Sequence, residues 1–289
     1  TDLARHLARQ GHAVTVIAGR QRYDDPKAAL PAHETIDGVT VHRLWTTRLG
    51  RRWLPGRALD YATFYVAALV ALWRLVGRGD VVLAKTDPPL LSVVAAWATR
   101  RRSARLVTWQ QDLFPEVAAA LGMRWAAGPI GRALVALRNR SLRRADGNVV
   151  LNDRMAERLA TERVTRGVEV VANWSDGDIR PLAHAANPLR RDWGLEDRFV
   201  VGYSGNLGRA HLADAVAELV ERTAGLDDVA WLFIGAGSGL DRVRSRCGEG
   251  DAVRFRPYQP RARLRASLSV PDVHLVSLDP ACEGLIVPS

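Results

Sequence analysis

FVVGYSGNLGRAH, residues 199–211, reads as a buried strand (Phe199 to Val201), then a Gly/Ser/Asn turn, then the start of a helix. Glycine adopts positive φ and carries no Cβ, so a turn holding Gly205 and Gly208 lets the backbone come close to a ligand. A helix beyond it directs unpaired N–H groups and partial positive charge at the turn, an arrangement suited to phosphate. Arg209 and His211 add cationic donors. An ordinary strand-to-helix connection uses the same residue types, so the turn alone leaves both readings open.

Working outward, the α/β rhythm continues to the C-terminus. Strands are expected at Trp231 to Ile234, Val253 to Phe255 and Val273 to Ser277, and helices at His211 to Thr223, Leu240 to Arg246 and Arg261 to Ser267. Before Phe199, residues 177–198 are polar and aperiodic, with Pro181 and Pro188, and read as a linker. Upstream the same rhythm recurs, with strands at Ala13 to Ala18, Val39 to Leu44, Val81 to Ala84, Leu106 to Trp109, Asn148 to Leu151 and Val168 to Ala172. Helices are expected between them, among them Leu59 to Val76 and a basic one at Ile130 to Arg144. Alternation of this kind predicts open parallel sheets with helices on both faces. The organisation expected is a first domain at 1–176, a linker at 177–198 and a second domain at 199–289, with a ligand cleft between the domains.

The 289 residues suffice for two cores, and 47 % hydrophobic with 25 % charged residues is ordinary globular composition. Cys247 and Cys282 match no metal or redox spacing and read as reduced thiols. The net charge of +10 is unevenly placed. Residues 1–146 hold 23 Lys+Arg against 11 Asp+Glu, whereas 147–289 hold 18 against 20. A basic half of this kind fits an anionic partner such as lipid, a pyrophosphate or nucleic acid, although arginine-rich solvated faces are also common. The chain opens inside a helical pattern, so a preceding strand is expected, and a further helix is expected beyond Ser289. No signal peptide is visible.

The most apolar segment, Leu59 to Val76, has an uncharged run from Tyr61 to Trp73 that is too short for a bilayer span. It reads either as a helix of an α/β layer or, with Arg51, Arg52, Trp53 and Arg57 nearby, as an interfacial membrane element. The turn Gly235-Ala236-Gly237-Ser238-Gly239 has some likeness to a dinucleotide fingerprint but lacks its x-x-G spacing.

The order of several short motifs is more specific than any one of them. Tyr203 to Gly208, Phe233 to Gly237, Arg254 to Tyr258, Asp272 to Val276 and Glu283 to Ser289 together resemble the donor-binding domain of family 4 glycosyltransferases, retaining enzymes of the GT-B fold. GHAVTVIAG, TDPPLL, WQQDLFPE and VVANWSD extend the resemblance through the first half. Within the family, the chain resembles bacterial surface-polysaccharide transferases of the colanic-acid and fucosamine-transferase type.

The resemblance implies transfer of a hexosyl or N-acetylhexosaminyl group, with retention, from a nucleotide-diphosphate sugar. Gly205, Asn206, Leu207, Gly208 and Arg209 would cradle the pyrophosphate, with Arg209 or His211 where relatives place basic residues. Gly235, Arg256, Pro257 and Tyr258 would border the nucleoside. Glu283 corresponds to the first glutamate of the family's Glu-x7-Glu motif and would face the donor sugar. Gly284, Leu285 and Ile286 would offer backbone N–H groups to the phosphates. Gln111 stands where many relatives carry histidine, and it or Asp112 is expected to meet the sugar or acceptor. The second glutamate and the lysine common after Val-Pro-Ser fall beyond Ser289.

No cofactor and no metal is implied, and no metal-ligand spacing appears in the sequence. The implied acceptor is a polyprenyl-diphosphate-linked sugar or a polysaccharide in cell-envelope synthesis. The implied location is cytoplasmic, peripherally bound to the anionic inner face of the cell membrane. A UDP-sugar 2-epimerase shares the fold but fits the Glu283 region less well. A non-enzymatic basic module for nucleic acid would need a stacking stripe and a recognition motif that the sequence lacks, so no nucleic-acid partner is expected.

Overall fold

In a computed structural model, the structure describes residues 2–20, 30–47, 49, 54–175, 177, 179–223 and 225–288, the side chains of Leu54, Pro55 and Arg57 excepted. The Arg51-Arg52-Trp53 segment and the Arg57 side chain therefore lie outside the described residues. The chain divides into two compact units. The first comprises residues 1–114, 132–150 and 159–170, and the second 115–131, 151–158 and 171–289.

The first unit holds two sheets. Strands β1 (Val14–Gly19), β2 (His33–Ile36) and β3 (Val39–Leu44) form one, in the order β1-β3-β2. The expected parallel pattern is broken here, because β2 runs antiparallel to β3 and pairs Ile36 with Val39. The cause is local. Asp37 (φ 49°) and Gly38 (φ 79°) form a two-residue turn with positive φ at both positions, the geometry of tight hairpins.

Strands β4 (Val81–Lys85), β5 (Arg105–Trp109), β6 (Gly147–Val150) and β7 (Val168–Val170) make a second, fully parallel sheet in sequence order. Helix Leu91–Arg102 and the C-terminal part of helix Leu54–Leu75 pack on it through a core rich in alanine. Ala84, Ala95, Ala98 and Ala145 let the helices approach closely, while Leu72, Val76 and Leu106 supply bulk.

The second unit has one parallel sheet of β8 (Phe199–Asn206), β9 (Val229–Ala236), β10 (Val253–Arg256) and β11 (Val273–His274), in the order β10-β9-β8-β11. The apolar run of β9 is divided between two cores by the pleat. Trp231 and Phe233 point to one face, where Phe233 lies between Trp231 and Phe255 at ring separations of 6.0 and 5.2 Å. Ala230, Leu232 and Ile234 point to the other, against Leu189, Leu195 and Val270. Burial on both faces is what a continuous apolar strand predicts.

Residues 177–198 carry the helix Pro188–Asp192, with Leu189, Arg190 and Leu195 buried. The expected helix start at His211 falls instead at Ala213, and the expected strand at Val273 to Ser277 stops at His274.

Candidate donor site and family

Strands β8 and β9 pair in parallel with Gly205 opposite Gly235 and Asn206 opposite Ala236. Both glycine turns therefore sit side by side at the carboxyl ends of neighbouring strands, where open α/β sheets bind ligands. Their backbones touch. A Cβ built on Gly235 would come within 2.0 Å of the Gly205 carbonyl oxygen, and one on Gly237 within 2.5 Å of the Leu207 carbonyl oxygen. Gly235 and Gly237 both have φ of 132° and Gly205 has 150°, so each needs glycine. Gly239 N–H donates to the Leu207 carbonyl, and Leu207 N–H to that of Ala236, locking one turn to the other.

The helix following β8 begins five residues past Gly208, so its N-terminus does not abut the turn as expected. Leu207 is fully buried, with its side chain in the core rather than at the surface. The Arg209 guanidinium donates to the Leu121 carbonyl at 2.7 Å. His211 stands edge-on to Tyr203, and its Nδ1–H donates to the Ser277 carbonyl at 2.6 Å.

The segment leading to Glu283 runs beside this turn. Leu275 N–H donates to the Gly202 carbonyl, and Asp279 N–H to that of Ala210. Asp279 then caps the 3₁₀ turn Pro280–Cys282, after which comes Glu283. Glu283 is exposed and lies 3.4 Å from Arg154 Nε. Arg154 also bonds Glu157, and the neighbouring carboxylates raise its pKa further above the usual guanidinium range.

Gly284 (φ 69°) rests on the Arg154 backbone, where a Cβ would sit 2.9 Å from the Arg154 carbonyl oxygen. The Leu285 and Ile286 N–H groups both donate to the Cys282 carbonyl, so in this arrangement they are not directed outward as expected. The loop after β10 also reaches the site. The Tyr258 ring edge would lie 3.2 Å from a Cβ on Gly235, and Tyr258 is 57 % exposed. Arg256 donates to the Phe255 carbonyl and lies over Trp193. Gln259 donates to the Pro257 carbonyl, closing the turn after Arg256. Burial, with Tyr258 nearby, pushes the Tyr203 hydroxyl up to about 12.

A separate polar cluster lies in the first unit, at the carboxyl ends of β4 and β5. Gln111 N–H donates to the Thr86 hydroxyl, and Thr86 also bonds Asp112. Gln111 Nε2 and Asp112 Oδ1 are buried without a hydrogen-bond partner. Burial raises the Asp112 pKa above the ordinary carboxylate value, the Thr86 bond offsets part of this, and Asp87 adds to the rise. No group of His, Cys, Asp or Glu suited to a metal ion occurs among the described residues.

Residues 1–174 match the family described as glycosyl transferase 4-like domain. The chain belongs to that family.

The chain is 28 % identical, over 73 % of its length, to a probable glycosyltransferase, WbjE, of Pseudomonas aeruginosa, covering 54 % of that protein. It is 31 % identical, over 83 % of its length, to a GDP-mannose-dependent alpha-mannosyltransferase of Mycolicibacterium smegmatis, covering 58 % of that protein. This glycosyl transferase 4-like chain thus spans about half the length of the curated relatives it matches.

Among solved structures, it superposes with a TM-score of 0.67 on sucrose-phosphate synthase from Thermosynechococcus elongatus, at 15 % identity, covering 94 % of this chain and 67 % of that one. It superposes at 0.54 on HepE of Anabaena in complex with UDP, at 16 % identity, covering 82 % and 59 %. The fold is that of the GT-B glycosyltransferases, as the sequence predicts.

The sequence reading did not single out Arg154, which follows the carboxyl end of β6 in the helix Asp153–Thr161; Thr86, at the end of β4, lies in the loop it did expect to meet a ligand.

Proposed function

We propose that the protein is a retaining glycosyltransferase that moves a hexosyl or N-acetylhexosaminyl group from a nucleotide-diphosphate sugar to a polyprenyl-diphosphate-linked or polysaccharide acceptor. It would serve cell-envelope or exopolysaccharide synthesis, as a transferase of the colanic-acid and fucosamine type, without a metal or cofactor. It would work in the cytoplasm at the anionic inner face of the membrane. The observation that carries this reading is the joining of the two glycine turns with the Glu283 segment at one end of the second sheet, through the Leu207–Ala236 and Ala210–Asp279 backbone bonds. Family membership supports it.

In this reading the diphosphate lies over the Gly205–Gly208 turn, where bare backbone admits its oxygens. Arg209 supplies positive charge at the rim once it exchanges the Leu121 carbonyl for phosphate, with His211 two residues further along the same segment. Tyr258 and the Arg256-Pro257 turn line the nucleoside side, next to Gly235. Glu283 faces the sugar, with Arg154 holding its carboxylate.

As the bond from the anomeric carbon to the diphosphate breaks, negative charge grows on the leaving oxygen and positive charge on the sugar ring. Donors fixed on the diphosphate stabilise the first charge and the Glu283 carboxylate the second. Contacts of this kind lower barriers by roughly 3–4 kcal/mol each. Gln111 and Asp112, each with an unmet hydrogen-bonding atom, would receive hydroxyls of the sugar or acceptor.

The test is a thermal-shift screen of the full-length protein with UDP-, GDP- and dTDP-linked sugars, followed by NMR of the product anomer. Stabilisation by one donor and a product of unchanged anomeric configuration are expected. No stabilisation by any donor would overturn the reading. A C2-inverted nucleotide sugar formed from donor alone would replace it with epimerisation.

A further inference from the structure

Helix Leu54–Leu75 is unusual for an α/β layer. Its window Ala58–Leu75 has a mean hydropathy of 1.3, yet only 11 % of it is buried. One face, with Ala68, Leu72 and the adjoining Val76, packs into the core of the first unit together with Leu69. The exposed residues Leu59, Ala62, Val66, Val70 and Trp73 recur every three or four positions and so form a second stripe on another face. Every one is apolar, and Val66 is 64 % exposed. A water-facing helix surface ordinarily carries polar residues at these positions.

The stripe continues onto the neighbouring helix. Trp73 packs against Trp97 at 5.5 Å between ring centroids. The Arg101 and Arg102 guanidinium groups lie over Trp97 and Trp73, 5.2 and 5.1 Å from the ring centroids. Beyond Trp97 lies a groove between helices Leu91–Arg102 and Pro129–Leu142, with an apolar floor of Val93, Ala96 and Leu137. Arg100, Arg101, Arg140 and Arg144 border it, and no acidic residue does. Among the described residues none of these four arginines forms an ion pair with an acidic side chain.

We infer that this face — the Leu59-to-Trp73 stripe, Trp97 and the arginine-bordered groove — docks the protein on an anionic lipid bilayer. The chemistry selects that occupant. Aliphatic side chains beside tryptophans fit the acyl-to-headgroup boundary, where tryptophan concentrates, and unpaired arginines fit lipid phosphates. The helix lies in the plane of the membrane. A span would pull Leu72 and Val76 out of the core, and 18 residues reach only about 27 Å at the α-helical rise. The inference deepens the membrane location proposed above by giving the face that makes the contact.

Vesicle co-sedimentation of the full-length protein tests it. Phosphatidylcholine vesicles with and without about a third phosphatidylglycerol are compared for the wild type, for Val66→Asp/Val70→Asp, and for Arg100→Gln/Arg140→Gln. The Arg variant alters exposed side chains only and serves should the Asp variant misfold. The wild type is expected to bind the anionic vesicles and to release as salt rises. Each Arg lost is worth roughly a fivefold drop, so the Arg variant should bind about twenty- to thirtyfold more weakly. The Asp variant should lose binding to both vesicle types.

Wild-type binding that neither variant changes would overturn this face and leave membrane association standing. No vesicle binding by the wild type would overturn both. A nucleotide-sugar thermal shift, run alongside without vesicles, reports on the transferase reading separately. A dimer that becomes monomeric in the Asp variant while vesicle binding is unchanged would make the stripe a contact between copies. Tighter salt-sensitive binding to single-stranded RNA than to the anionic vesicles would assign the groove to nucleic acid. Either result refutes the inference.

Discussion

Arg154 Nε lies 3.4 Å from Glu283 Oε1, and the Arg154 carbonyl leaves no room for a side chain on Gly284. One helical residue thus holds both the carboxylate and the backbone of the turn after Pro280–Cys282. Both side chains are largely solvent-exposed, so their attraction adds little stability. In the proposed function its use would be positional, orienting the carboxylate towards the sugar.

Glu283→Gln in the full-length protein should reduce kcat by about a hundredfold or more, with little change in melting temperature. Arg154→Ala should lower kcat less and leave donor affinity nearly unchanged, because it removes orientation and not a donor contact. Steady-state kinetics with the stabilising nucleotide sugar decides. Unchanged turnover in Glu283→Gln would remove the role given to this carboxylate.

The glycines separate structural from functional need. Gly237→Ala forces a Cβ to within 2.5 Å of the Leu207 carbonyl oxygen at φ 132°, and should cost about 3 kcal/mol in urea unfolding. Gly208→Ala meets only the Asn206 amide at 3.6 Å, and should change stability by less than about 0.5 kcal/mol. Donor binding should nevertheless weaken in Gly208→Ala, where the added methyl faces the proposed diphosphate. Isothermal titration with the donor is the check, and equal affinity would move the phosphates elsewhere.

Arg190 is buried among the carbonyls of Leu195, Arg198 and Val270 and pairs with Asp272 at 3.1 Å. Replacing it by Met should cost about 3–5 kcal/mol, since the carbonyls and the carboxylate lose their donor together. Chemical denaturation at neutral pH measures this.

The same pair gives an acid dependence. Burial alone would raise the Asp272 pKa, but the Val200 N–H, Arg190 and His184 outweigh it and leave the value below that of an ordinary aspartate. A lowered folded-state pKa contributes stability above the unfolded value, near pH 4. That contribution is lost as pH falls through the folded value. The stability gap between wild type and Asp272→Asn should therefore be full at pH 6 and shrink below pH 4. A gap independent of pH would contradict it.

Asp112 has the opposite sign. Its pKa is raised, chiefly by burial, so its ionised form opposes folding at pH above the folded value. Asp112→Asn should be at least as stable as wild type at pH 7, with the gain vanishing as the pH is lowered through the carboxylate range. If Asp112 meets the acceptor or sugar, the same variant should lose transfer. Thermal melts across pH, read beside the transfer rate, test both halves.

The sequence by itself determined the α/β class, the parallel strands and the position of the glycine turns. Those depend on local matters, namely the apolar runs of β8 and β9, the need for glycine at positive φ, and the order of short motifs. The Asp37-Gly38 hairpin was not read from the sequence, because β2 lies in a polar stretch that carries no strand pattern of its own.

Only the tertiary structure decided which groups meet. Strand register set Gly205 against Gly235, and chain return brought Asp279 onto Ala210 and Glu283 onto Arg154, contacts between residues far apart in the sequence. It also turned the outward N–H groups expected at Leu285 and Ile286 onto Cys282, and packed only one face of the Leu54–Leu75 helix. Periodicity says that a helix has an apolar face. Which face finds a partner depends on what the rest of the chain places beside it.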